Sequence, residues 1–324
     1  MKKPINKEHI EGYVYDHDLS VRTVQSQTKA DGTPNPNYGK EFIAGKLDVQ
    51  TDEEGVNIVT INFTYVTATT SKGARNETFY SLKSIIDGNM TVLKCGAENA
   101  TMVTVDTALG LNDFYTSRSG EETLVSAKRN DGGFVHIVTG ALAEEKARNT
   151  FEVDMLITGT KLVEADEEKH ISEDYLEISG YVFNFRNDIQ PVVLTCHNPG
   201  GINYFESLEA SKSNPTFTKV WGNITSTNIV SQTTEESAWG EPVIKEYTRK
   251  KKEWVITGTA KEPYELGDSE VGITGQELKD AEAARATLLA AEKERHDQYQ
   301  AQKAAGNVGG AAVSAKPSTS GFDF

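Results

Sequence analysis

The sequence predicts a mainly β fold: two small β-barrels in tandem, then a C-terminal helix and a disordered tail. Three observations carry that prediction. Short runs of alternating apolar and polar residues recur, bounded by Gly, Pro, Asn and Asp. The hydrophobic pattern of the first block returns in a second block that opens at Tyr175. After Thr274 the composition changes to strong helix formers, and after Gly306 to small polar residues.

Residues 9–25 read as a strand region around Ile10-Glu11-Gly12-Tyr13-Val14-Tyr15. The next segment, Lys29 to Asn37, gathers Pro, Gly, Asn and Asp, which cannot continue a ladder. Phe42 to Val49 and Asn57 to Val66 read as strands joined through Asp52-Glu53-Glu54-Gly55. In the second of them Ile61, Phe63 and Tyr65 alternate with Asn62 and Thr64, the period of a half-buried strand. Asn76 to Asp87 fits a short helix with Phe79, Leu82, Ile85 and Ile86 on one face. Further strands are expected at 101–106, 123–128, 133–139 and 150–163.

In the second block, Leu176 to Phe185 echoes Glu11 to Tyr15: a glycine precedes alternating aromatic residues. Phe217 to Ile224 echoes Phe42 to Leu47, and Glu253 to Gly258 echoes Val153 to Gly159. The charged run Ala165 to His170 is the expected boundary. The chain thus divides into a first β domain at 1–165, a second at 172–265, a helix at 274–305 and a disordered tail at 306–324. Thr274-Gly275-Gln276-Glu277 fits a capping box at the start of that helix. Leu278, Ala281, Leu288 and Leu289 give it only a thin apolar stripe, so it is expected to pack lightly or to project.

The formal net charge of −15 argues against a protein that coats duplex nonspecifically. A local basic groove with aromatic platforms still works on an acidic body. Cys95 and Cys196 stand far apart, with no second pair to complete a zinc site, and no metal or cofactor is expected. No phosphate loop, His-Glu-x-x-His or Gly-x-Ser-x-Gly occurs, and the six histidines are scattered, so no enzyme is expected. The basic start lacks the apolar stretch of a signal peptide, which sets the expectation of a cytoplasmic protein.

Aromatic residues beside cations are the candidate nucleic-acid contacts, because a ring stacks on a base while the cation neutralises phosphate. The strongest group is Tyr247, Arg249, Lys250, Lys251, Lys252 and Trp254; a solvated hairpin tip is the plain alternative for the cation run. Lys219 with Trp221, Arg186 beside Phe185, and Lys128 with Arg129 before Phe134 are further candidates, each weighed against ordinary core packing of the ring. At the C-terminus, Phe322, Asp323 and Phe324 end a segment that has no core to serve; Phe324 fits an apolar pocket on a partner whose rim is basic.

That ending resembles the C-terminal tips of single-stranded DNA-binding proteins, the phage type ending in Asp-Phe more than the bacterial one with its acidic run. The words Asn112-Asp113-Phe114-Tyr115, Phe217 to Gly222 and Glu236 to Glu241 resemble phage single-stranded DNA-binding proteins, over residues 8–260 in organisation. The resemblance implies tandem OB-like β-barrels. It also implies protection of single-stranded DNA in replication or recombination, and a tail that recruits replication or recombination proteins. The rival reading is a β-rich phage virion structural protein, which the scarcity of basic residues favours.

Overall fold

The computed structural model describes residues 4–29, 32–117, 121–235, 239, 243–267 and 273–304. Among them eleven strands form one continuous sheet. They are β1 (Asn6–His17), β2 (Ser20–Thr23), β3 (Glu41–Gln50), β4 (Ile58–Thr67), β5 (Met102–Thr116), β6 (Thr123–Val138), β7 (Asn149–Val163), β8 (Tyr175–Phe183), β9 (Ile189–Cys196), β10 (Thr216–Glu235) and β11 (Val243–Thr259). The helices are α1 (Glu77–Gly88), α2 (Val92–Cys95), α3 (Pro199–Ser207) and α4 (Gly275–Ala304).

The ladders return on themselves twice. β1 pairs with β3, β3 with β4, β4 with β6 in parallel, β6 with β5, and β5 again with β1. β7 pairs with β8, β8 with β9, β9 with β11 in parallel, β11 with β10, and β10 again with β7. In each circuit a helix, α1 or α3, separates the third strand from the fourth. A ladder from Asn6↔Val153 to Ile10↔Asn149 joins β1 to β7 and fuses the circuits into one sheet.

Alternation explains which residues fill the interior. β4 buries Val59, Ile61 and Phe63 and keeps Thr60, Asn62 and Thr64 half-buried. The resulting core is continuous through both circuits: Ile10, Leu47 and Val105 belong to the same cluster as Val153, Ile178 and Ile256. A smaller cluster of Leu156, Phe183, Ile189 and Phe217 lies under α4.

Ladder order changes the internal correspondence read from sequence. The counterpart of β1 is β7, and β8 answers to β3, so the echo between 11–15 and 176–185 matches strands in different places. Its physical source is a shared constraint. A Cβ on Gly12 would lie 2.0 Å from the Gln50 carbonyl oxygen, and one on Gly180 would lie 2.3 Å from that of Leu156. Both glycines sit where the first two strands of their circuit approach too closely for a side chain. The other two echoes likewise match a fourth strand with a second, and a fifth with a first.

The charged run at 165–170 falls between β7 and β8, which pair from Leu156↔Tyr181 to Val163↔Tyr175. The chain instead passes from one circuit to the other through residues 139–148. Buried Arg148 fixes that passage, donating to the Ala143 carbonyl at 2.6 Å and pairing with Glu53 at 3.1 Å. A second difference lies at Asn130-Asp131-Gly132-Gly133. That stretch, between two expected strands, runs inside β6, and the register shift opposite Asp106 and Thr107 takes up Gly133 as an extra residue.

The capping box is present as expected: Thr274 Oγ1 accepts from the Glu277 amide at 3.2 Å, and the Glu277 carboxylate accepts from the Thr274 amide at 2.8 Å. Leu278 and Ala281 of α4 pack on the Phe183–Phe217 cluster, while Leu288 is exposed. Beyond that contact, α4 is held to the β5–β6 hairpin by polar pairs, Arg285 with Asp113 at 2.9 Å and Lys293 with Glu122. The expected tail at 306–324, with Phe322, Asp323 and Phe324, lies outside the described residues. No helix among the described residues is long and apolar enough to cross a membrane.

Candidate nucleic-acid interface

Residues directly opposite one another across a ladder share a face of the sheet. Across the seam, Phe134 stands opposite Asp106, Asp106 opposite His9, His9 opposite Thr150, and Thr150 opposite Asn223. One step along, Lys7 stands opposite Glu152, and Glu152 opposite Trp221. The intervening Glu8, Ile10, Val153 and Val220 point to the interior and are buried. The outer row floors an open cleft of about 900 Å³ to which both circuits contribute.

An aromatic ring flanks each side of this cleft. Phe134, from the first circuit, is 46% exposed, and Trp221, from the second, is 39% exposed. Four ladder steps separate β6 from β10, which sets these two strands about 19 Å apart across the sheet. The Trp221 indole lies against the backbone of β11: a Cβ on Gly258 would come within 2.4 Å of its Nε1. Gly258 is therefore needed for the ring to take that place.

The charges around the cleft are nearly balanced. Lys7 is exposed, and Lys146 pairs with Glu144 at 2.8 Å in full solvent, a contact worth little. His9 Nδ1 lies 3.0 Å from Asp106 and its Nε2 3.6 Å from Glu11. Lys219 pairs with Glu152 at 2.8 Å, and that hydrogen bond raises the lysine pKa.

Beneath the floor lies a buried polar node. The Glu8 carboxylate accepts from Trp254 Nε1 at 2.8 Å and from Thr107 Oγ1 at 2.5 Å. Burial pushes its pKa up to about 7, and the nearby Asp131 charge pushes the same way against the two hydrogen bonds. Lys128 lies over the Trp254 ring, 4.8 Å from its centroid, and donates to the Val193 carbonyl at 2.7 Å. Burial lowers Lys128 to about 8, with Glu253 and Glu177 opposing.

Of the sequence candidates, Trp221 lines the cleft, and Lys219 reaches it only through its pair with Glu152. Trp254 is corrected: at 3% exposure it has no face for a base, and it belongs to the core. Lys128 is engaged with that core ring, and Arg129 pairs with Asp131 at 2.6 Å. Arg186 lies over Phe185 in the β8–β9 turn, away from the cleft. The run Arg249 to Lys252 is not a hairpin tip. It lies within β11, opposite Ile229 to Ser226, on the ribbon that β10 and β11 form past the β7 ladder. Lys250 is exposed there. Lys251 pairs with Glu253 at 2.8 Å, and Lys252 donates to Thr60 Oγ1 at 2.8 Å, the burial of that end lowering its pKa. Of Tyr247 and Arg249 the backbone alone is described.

Sequence reasoning missed Lys7, His9 and Lys146 as cleft residues. The signal for the first two was their alternation with Glu8 and Ile10 along β1, but the seam ladder that makes this face a floor joins residues far apart in the chain.

The chain belongs to the YorF family, whose model matches residues 17–294. No curated protein matches it. Among solved structures it is similar to the wild-type single-stranded DNA binding protein from Thermus aquaticus, with a TM-score of 0.44 and 11% sequence identity, covering 83% of this chain and 98% of that one. A deletion mutant of the same Thermus aquaticus protein is similar at the same score and identity, covering 83% of this chain and 100% of that one.

Proposed function

We propose that each pairing circuit is an OB-type barrel and that the chain binds single-stranded DNA across the outer face of the seam between them. The barrel assignment is supported by the ladder order: in both circuits the third and fifth strands are parallel, the first and fourth strands pair, and a helix precedes the fourth strand. On that order the two units are residues 6–138 and 149–259, with the charged run at 165–170 inside the second. The observation that carries the binding assignment is the cleft with one exposed ring from each circuit, Phe134 and Trp221, and with Lys7 and Lys146 beside it. Each base stacked on such a ring is worth ~1–3 kcal/mol and is bound with little regard to its identity.

In this reading the protein is a non-enzymatic binder of the phage type that protects exposed strands in the cytoplasm during replication or recombination. It needs no metal or cofactor. The tip Phe322-Asp323-Phe324 recruits a replication or recombination protein, its last ring entering an apolar pocket while the carboxylates meet basic residues at the rim.

The test is a fluorescence titration with labelled oligo-dT and with duplex of the same length. Single strand should bind far better, because duplex hides its bases in the stack. Phe134→Ala and Trp221→Ala should each weaken binding by roughly 5- to 150-fold in protein that circular dichroism shows to be folded. Equal affinity for duplex, or unchanged binding by both variants, refutes the assignment.

A further inference from the structure

The floor of the cleft holds a third ring. His9 lies on β1, two ladder steps from β6, which carries Phe134, and two from β10, which carries Trp221. It lines the cleft in the same outer row as Phe134 and keeps 41% of its side chain exposed. Its polar edge is already taken. Nδ1 is hydrogen-bonded to Asp106 at 3.0 Å, and Nε2 lies 3.6 Å from Glu11. An imidazole nitrogen makes its hydrogen bonds in the plane of the ring. What His9 has left for the cleft is therefore the carbon edge and the face of the ring.

The charges nearby decide which part of a strand meets that ring. Asp106 and Glu152, on the floor beside His9, leave 61% and 46% of their side chains exposed. Carboxylates repel phosphate, so the sugar–phosphate chain is held off the floor and the bases are turned toward it. A strand that reaches from β6 to β10 spans about 19 Å, whereas stacked bases of one strand rise only about 3.4 Å each. Bases thus lie between the two outer rings, over the middle of the floor.

We propose that His9 is the middle platform of the cleft, stacking on a base between those held by Phe134 and Trp221 and making no contact with phosphate. The inference rests on the cleft reading and adds a binding residue to it. The Asp106 hydrogen bond holds the imidazole in place for that contact. Histidine is among the side chains on which unpaired bases stack.

The experiment compares oligo-dT with an abasic oligomer of equal length on the full chain, by fluorescence anisotropy at two salt concentrations. The abasic oligomer carries the same phosphates and no bases, so wild type should bind oligo-dT far more tightly. His9→Gln keeps a donor for Asp106 and removes the ring. It should weaken oligo-dT binding about fivefold, the low end for an aromatic platform because imidazole is a small ring. It should leave the abasic affinity and the salt slope as they are. His9→Phe restores a ring without nitrogens and should bind oligo-dT as tightly as wild type. Circular dichroism checks that both variants fold. Should the Phe variant not fold, the Gln variant decides alone by its split between the two oligomers. Undiminished oligo-dT binding by His9→Gln, an equal loss on both oligomers, or a folded His9→Phe as weak as His9→Gln overturns the inference and leaves the cleft reading intact. Wild type that binds the two oligomers alike overturns the cleft reading and this inference with it.

Discussion

Replacing Glu8 by Gln should stabilise the protein above neutral pH and change little near pH 4. In the unfolded chain this carboxyl ionises at its ordinary value of 4.5, whereas in the folded protein burial moves it to about 7. Between those values the folded state holds a proton that the unfolded chain has released. Stability contributed at this site is therefore lost as pH rises from 4.5 to 7, and the loss is complete above 7. That rise, from 4.5 to about 7, corresponds to about 3 kcal/mol. Gln carries the shape of the neutral acid. Its carbonyl accepts from Trp254 Nε1, and its amide donates to Thr107 Oγ1 once that hydroxyl turns round. Urea titrations of both proteins from pH 4.5 to 8 isolate the site together with its coupling to Asp131. The variant's advantage should grow by up to about 3 kcal/mol across the window and then level off. Wild-type tryptophan fluorescence should change near pH 7 and the variant's should not, because Trp254 touches this carboxyl. A stability difference that is flat with pH, or a variant weaker than wild type at pH 8, refutes the account.

Trp254→Ala should cost about 3–5 kcal/mol in urea unfolding, the loss expected of a core ring, in contrast to the exposed Trp221; an unchanged unfolding midpoint would place the indole outside the core. Replacing Arg249, Lys250, Lys251 and Lys252 together by Ala should leave the salt slope of oligo-dT binding unchanged, because the run lies on the β10–β11 ribbon and not among the residues that line the cleft. A drop of up to roughly 2.8, the share of four cations, would show instead that the strand runs along the ribbon. Removing residues 316–324 should leave the melting temperature and oligo-dT binding unchanged and abolish capture of replication proteins in a pull-down. Phe324→Ala should reproduce most of that loss.

What was legible in the sequence was local. The β4 alternation, the α1 apolar face and the Thr274 capping box each depend on residues within a turn or two of one another. The ladders that define the circuits do not. Ile61 meets Asn130 in parallel, Val255 meets Thr195, and Asn6 meets Val153, and no periodicity announces such pairs. That is why the echo between blocks placed the glycine-aromatic strands at equivalent positions when one is a first strand and the other a second. Trp254 shows the same limit at one residue. Four cations before it drew the assignment toward nucleic acid, while Trp254 and Ile256, two apart and both apolar, carried the better signal for an interior face.

On the proposed reading, a net charge of −15 and a polyanionic ligand are reconciled by where the cations are engaged. Lys219, Arg129 and Lys251 face carboxylates at 2.6 to 2.8 Å, and Lys128 is committed to Trp254. That leaves the cleft with Lys7 and Lys146 to meet phosphate. Two phosphate contacts give a salt slope of only about −1.4 on a single strand, so affinity there falls slowly with ionic strength and stacking carries most of it. The same surface is unfavourable to duplex, whose bases are shielded and whose dense phosphates meet an acidic body with few cations to offset them. An acidic composition, which argues against a duplex-coating protein, thus becomes a source of selectivity for unpaired strands once the aromatic rings, and not the lysines, are the principal contacts.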